Sequence, residues 1–241
     1  MKIQSLITLA GTLLVLGNAP SAAELPELVL NDPNEAPFTT VDGKGFLDAV
    51  AGEAFRRAGV RLRLVKQPAE RALRNANAGV EDGDLSRIAG LEAHYPNLIR
   101  VPEKLLDWTF SAFSKNTDVP AQWEAIRAHS VGHIKGWKIY EQEMAGAAQV
   151  LTAEDPAQLF RLLEQNRVEV VLYSKWAGEA LLQQQGIKGV HAIEPPLATR
   201  EMFIYLHKRH AALVPKLAEA LRAMKADGSY ARLMREKVWR K

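Results

Sequence analysis

Arginine is the side chain best suited to hold a carboxylate, because its planar fork offers two parallel N–H donors. Two arginines stand where that chemistry is useful. Arg87 follows Asp82-Gly83-Asp84, a run that reads as a loop, and Arg71 lies near the start of a short helical stretch beside Glu70. Asp32, Glu35 and Asp84 are acids suited to a cationic group, although an aspartate before proline is also a common turn former. Trp108, Phe110 and Trp137 offer ring faces for an apolar ligand wall. Lys135 adjoins Gly136, where backbone N–H groups ahead of a helix can meet an anion. Ser174 adds a neutral hydrogen-bond donor. This set suits reversible capture of a small polar solute that carries at least one negative group.

Other chemistries find little support. With no cysteine there is no disulfide, thiolate metal site, cysteine nucleophile or lipid anchor on an N-terminal cysteine. His129 and His133 are four apart, but Val131-Gly132-His133-Ile134 reads as a strand, which would hold them about 13 Å apart at ~3.3 Å per residue. Glu81 to Asp84 is too short for a calcium loop. No phosphate-cradling glycine loop and no Gly-x-Ser-x-Gly elbow is present. The sequence therefore implies no metal and no cofactor.

The elements that must position these residues can be read from periodicity. The chain has 241 residues with a formal charge of +3, and both signs are spread along it, which argues against a nucleic-acid binder. Lys2, the apolar run Leu6 to Leu16 and the small residues Ser21-Ala22-Ala23 form the pattern of a secretory signal peptide over residues 1–23. That run is shorter than the roughly 20 residues needed to span a bilayer. Leu28 to Leu30, Val60 to Val65, Val131 to Ile134, Val150 to Thr152, Val168 to Tyr173 and Gly189 to Ile193 predict strands. Helical spacing follows Phe46 and covers Glu70 to Ala78, Trp137 to Met144, the stretch around Leu159 to Leu163, and Trp176 to Gln185. Trp108 to Ser114 and Met202 to Lys208 predict two long strands, and Ala211 to Val238 a helical tail broken at Asp227-Gly228. The order predicts an α/β fold in two lobes, each a mixed, mainly parallel sheet flanked by helices, joined by two crossing strands. The expected boundaries are 24–110 plus 205–241 for a discontinuous first lobe and 111–204 for an inserted second lobe. Ligand groups would then come from loops at strand C-terminal ends.

Several motifs carry a resemblance. Asp32-Pro33-Asn34-Glu35-Ala36-Pro37-Phe38 followed by Gly45-Phe46, then Gly79-Val80-Glu81-Asp82, Asn166-Arg167-Val168-Glu169 and Lys225 to Tyr230 occur in order. The chain resembles the bacterial extracellular solute-binding proteins of family 3, in a divergent branch that also carries Pro68-Ala69-Glu70-Arg71 and Tyr95 to Pro102. The resemblance implies a two-lobed periplasmic binding fold of type II, with Phe38 in the opening turn and Arg87 near the arginine that binds a ligand carboxylate. It implies a small-molecule ligand, amino-acid-like or an organic acid, a monomeric receptor, and an ABC permease or membrane sensor as partner. Two departures stand out. Ser174 occupies the place of the aspartate that usually holds a ligand amino group, and Glu35 the place of a stacking aromatic. The function expected is a periplasmic solute receptor. The alternatives are an accessory or sensor protein, or a dehydratase-like enzyme using Glu35 or Glu169 as acid or base.

Overall fold

The structure is a computed structural model that describes residues 25–32, 38–40 and 42–238. The signal-peptide pattern and Glu35 lie outside the described residues. The first half runs β1 (Glu27–Asn31), α1 (Phe46–Arg57), β2 (Arg61–Val65), α2 (Ala69–Ala78), β3 (Gly83–Ile88), a 3-10 turn (Leu91–Ala93), β4 (Leu98–Arg100) and β5 (Leu106–Ser114). Then come α3 (Trp123–Arg127), β6 (Ser130–Ile134), α4 (Lys138–Glu143), β7 (Gln149–Ala153), α5 (Pro156–Glu164), β8 (Val170–Ser174), α6 (Lys175–Gln185), β9 (His191–Ala192) and β10 (Ala198–His207). A 3-10 stretch (Lys208–Leu213), α7 (Val214–Ala226) and α8 (Ser229–Lys237) close the chain.

Local signals explain the helix starts. Asp48, in the first turn of α1, reaches back to the N–H of Gly45 (2.8 Å) and of Thr40 (3.0 Å), satisfying donors that the helix leaves open. Phe46, Leu47, Val50, Ala51, Ala54 and Phe55 are its buried face. Asp155 caps α5 by accepting from Gln158 N–H at 2.8 Å, with Pro156 in the first turn. Gly79 ends α2 in the left-handed conformation.

The strands pair in the order β2-β1-β3-β10-β5-β8-β6-β7, with β4 beside β10 and β9 beside β5. β2, β1 and β3 are parallel, as are β8, β6 and β7. Between these two parallel groups run β5 and β10, antiparallel to their neighbours and to each other. Residues 106–110 of β5 pair with β10, and residues 110–114 pair with β8. Residues 202–206 of β10 in turn pair with β3. Each long strand is thus shared between the two groups, which makes a two-lobed fold joined by two crossing strands. Parallel groups need cover on both faces. α1, with α7 and α8 packed against it, and α2 supply it beside the first group, and α5 and α6 beside the second.

Three expectations from sequence change. Residues 83–88 form a strand, not a loop. Its Gly, Asp, Ser and Arg look solvent-facing, but all but Ile88 of that strand are buried, and Asp84 and Arg87 satisfy one another inside. The strand at 189–193 shortens to His191–Ala192. β4, α3 and the turn at Leu91 have no counterpart in the periodicity, because each is five residues or fewer.

Candidate ligand-binding cleft

The C-terminal ends of both parallel groups face one another, and the cleft between them is built there. Ser86, Arg87 and Ile88 come from the end of β3, and Leu91 from the turn after it. Trp108, Phe110 and Met202 come from the crossing strands. Gly136, Trp137, Lys138 and Ile139 come from the end of β6 and the start of α4. The space they enclose is small and opens to solvent at its mouth.

Arg87 and Asp84 share a face although they are three residues apart, a spacing that puts strand side chains on opposite faces. The register explains this. Asp84 pairs with Tyr205 and Arg87 with Phe203, so β3 takes three steps where β10 takes two. The extra residue is a bulge at Leu85-Ser86, which re-aims the side chains around it. Arg87 Nε and Nη2 then each donate to a carboxylate oxygen of Asp84 at 2.8 Å. Nη2 also donates to Ala69 O at 2.9 Å, and Nη1 reaches Gly136 O at 3.5 Å. Burial pushes the Asp84 carboxyl up, against the pull of the Arg87 guanidinium and the N–H groups of Ser86 and Leu85. Arg87 therefore lines the cleft, but its fork is turned onto Asp84 and only Nη1 is loosely held.

Gly136 brings the two lobes into contact. A β-carbon there would sit 2.3 Å from Glu70 N and 2.7 Å from Ala69 C, and its φ of +88° is one that side chains rarely adopt. Its N–H is not open to an anion, because Glu141 Oε1 accepts from it at 2.7 Å. Lys138 bridges the same junction at 2.7 Å from both Glu70 and Glu141, with the Tyr95 ring 5.9 Å away. Burial draws the Lys138 ammonium down, but Glu141 and Glu70 outweigh it and the net shift is upward. Glu141 is pushed up by burial and held below its usual range by Lys138 and the Gly136 N–H.

An aromatic wall closes the second-lobe side. Trp137 stacks on Tyr173 (4.9 Å, 25°) and on Tyr140 (5.7 Å, 6°), and Phe110 meets Trp137 edge-on at 6.1 Å. Tyr140 is fixed by donating to Tyr173 O at 2.7 Å. Past Trp137 a second depression is lined by Lys66, Gln67, Ala69, Glu154, Asp155 and Tyr173 among others.

The other sequence candidates divide. Trp108 and Phe110 border the cleft from the crossing strands and are themselves buried in the core. Phe38 is buried against Trp108, 4.6 Å between rings, and supports the wall from behind. Asp32 is buried at the end of β1, its N–H donating to Val65 O. Arg71 and Lys135 are exposed and line neither depression. Ser174 ends β8, buried beside Phe110 in register and outside the cleft lining. Glu169 lies at the opposite end of the strands, accepting from Ser130 N–H at 2.9 Å, so it is not a cleft acid. Sequence reading missed Ser86 and Lys138. Ser86 sits beside Arg87 in an apolar-flanked run, and Lys138 lies three residues before Glu141, the spacing of a helical ion pair. Among the described residues no group of three His, Cys, Asp or Glu side chains could hold a metal.

No protein-family model matches the chain. An uncharacterized protein of Shewanella oneidensis is 27% identical over 190 residues, covering 74% of this chain and 70% of that protein. Among solved structures, a mutant of ArgBP from T. maritima aligns over 89% of this chain and 96% of its own, with a TM-score of 0.75 at 18% identity. The amino acid ABC transporter substrate-binding protein AbpA from Streptococcus pneumoniae, bound to L-arginine, aligns over 88% and 94%, with a TM-score of 0.71 at 16% identity. A histidine kinase sensor domain with similarity to periplasmic binding proteins aligns over 89% and 96%, with a TM-score of 0.77 at 15% identity. At these identities the likeness is one of fold.

Proposed function

We propose that the chain is a periplasmic solute receptor, exported by residues 1–23, which captures a small polar, carboxylate-bearing solute in the cleft and presents its closed form to a membrane transporter. The observation that carries the reading is the junction itself. Arg87 and Glu70 from one lobe meet Gly136 and Lys138 from the other beside a half-open cavity. A solute touching both sides stabilises the closed arrangement by its differential contacts, which is how occupancy becomes shape. The lobes in this reading are 24–110 with 205–241, and 111–204. The carboxylate would approach Arg87 Nη1, the edge that Asp84 leaves.

The sensor-domain likeness favours a second reading, in which the closed form is read by a sensor kinase rather than a permease. Ligand binding is common to both, so it is tested first. In a thermal-shift screen of amino acids, organic acids, amides and small peptides, a ligand at 100 times its Kd adds about 2.7 kcal/mol. At about 2–4 °C per kcal/mol that is a shift of several degrees. A melting point unmoved by every compound sinks the receptor reading. Arg87→Lys should keep the charge yet weaken a carboxylate ligand, and an unchanged shift would remove Arg87 from the site.

A further inference from the structure

The positive charge of the chain is concentrated in one run. Residues 232–241 (Arg-Leu-Met-Arg-Glu-Lys-Val-Trp-Arg-Lys) hold five cations and one acid, four net charges against +3 for the whole chain. The other 231 residues therefore stand at −1, with both signs interleaved. A local excess of this kind sets what a surface attracts, whatever the balance elsewhere.

α8 displays the first part of this run. Its inner face is spent on the fold: Leu233, Met234 and Val238 pack against the core. The Tyr230 ring meets Phe46 edge-on at 5.3 Å, and its hydroxyl donates to Leu105 O at 2.8 Å. Arg232 and Arg235, three apart, lie on the outer face and are exposed. Surface cations on α1 and β2 have acids at hand, since Glu53 takes Arg56 and Arg57, and Glu27 takes Arg61 and Arg63. On α8 the one acid, Glu236, stands 3.8 Å from Arg232, and among the described residues Arg235 and Lys237 have no acidic partner. A helix C-terminus favours cations in its last turn, which accounts for Arg235 and Lys237 but not for Arg232, more than a turn before the helix end. Beyond the described residues the run adds Trp239, Arg240 and Lys241.

The face selects its partner by what it lacks. A folded protein is gripped through apolar and aromatic anchors seated in pockets, and α8 turns its described apolar residues inward. An anionic bilayer asks for charge alone and rewards each Lys or Arg by roughly fivefold in affinity. Tryptophan, present in the run as Trp239, is a residue type enriched at the headgroup boundary. We propose that α8 and the run to Lys241 form a docking face for an anionic phospholipid surface, which holds the first lobe against a membrane. This rests on export of the chain and is independent of what the cleft holds.

The test uses residues 24–241, the exported form, which contains every described element. Its sedimentation is measured with vesicles of equal parts phosphatidylglycerol and phosphatidylcholine, and with phosphatidylcholine alone. Binding to the mixed vesicles should be clear, should fall as salt rises, and should nearly vanish on phosphatidylcholine. Arg232→Glu with Arg235→Glu should weaken it at least tenfold, and the milder Arg235→Gln with Lys237→Gln about tenfold. Circular dichroism should show both variants folded. Arg161→Glu with Arg167→Glu, exposed cations on the second lobe, makes the same change in net charge as the first variant and should leave binding unchanged. Absence of binding to the anionic vesicles overturns the proposal, as does unchanged binding in both α8 variants. An equal loss in the second-lobe variant assigns the attraction to overall charge and overturns it too. Tighter binding to a DNA duplex at the same salt, lost in the α8 variants, would assign the face to nucleic acid instead. A solute screen silent throughout removes the receptor reading and leaves this face standing.

Discussion

Asp84 is fully buried, and its carboxylate is matched by a single guanidinium. Removing one member of such a pair is much worse than removing both, because the survivor stays buried with its charge uncompensated. Arg87→Ala should therefore lower stability by about 3–5 kcal/mol. The double change Asp84→Ala with Arg87→Ala should cost less than the sum of the two single changes, as read by denaturant unfolding. Equal additivity would mean the pair is not a unit. This pair also marks where sequence reading stopped. Arg87 was legible as a cleft residue from its type and place, but its partner was not. Adjacent acids and arginines in a polar run look the same whether they face water or each other. Only the one-residue register difference against β10 puts them on one face. Ser86 was hidden for the same reason, since nothing in a serine tells whether its hydroxyl is satisfied.

At the scale of elements, the turn at Gly136 and the start of α4 set the second lobe against the start of α2. Gly136→Ala should keep the chain folded but hold the lobes apart. The added methyl would overlap the backbone of Glu70, which a side-chain rotation cannot relieve. Small-angle scattering should show a larger radius of gyration than the parent, and an identical profile would show that the junction yields. Lys138 adds a pH window to that contact. Its pKa is raised above 10.5, so its contribution is complete below that value and lost as pH rises through the raised one. Glu141 is lowered from 4.5, so its part is present above 4.5 and lost as pH falls through the lowered value. The parent radius of gyration should be flat between these limits, and Lys138→Met should flatten any alkaline expansion beyond them. The long elements were readable from periodicity: α1, α2, α5, β8 and the first crossing strand fall where the spacing puts them, whereas the second, expected from Met202, begins at Ala198. Short ones such as β4 and α3 were not, because they lean on neighbours rather than on their own pattern.

Across the whole molecule, the C-terminal helices return to the first lobe and fasten α1 by charge. Arg57 joins Glu53 (2.8 Å) to Asp227 (2.7 Å) across 170 residues of sequence. Hydrogen bonds from Arg56 and Arg57 hold Glu53 at about 2, and those from Ser229 and Arg57 hold Asp227 at about 2. Both pKa values are depressed, so what they add is present above the ordinary values of 4.5 and 3.8 and disappears as pH falls toward about 2. Arg57→Leu should lower stability at neutral pH by a small amount, since these are surface pairs, and the difference from the parent should vanish as pH falls toward about 2. Denaturant unfolding at neutral pH and near pH 2 reads this directly, and identical stabilities at both would leave the helices held by packing alone.

Phe110 is the residue at which β5 changes neighbours, paired with Ala198 on one side and Ser174 on the other, and it is also a wall of the cleft. In the receptor proposed above, a molecule resting on its ring leans on the fulcrum of the two lobes, not on either arm, and grip and swing are mounted on one bearing. In that reading, reshaping the wall to accept a different solute also re-cuts the pivot, so a change of taste and a change of gait arrive together at this position.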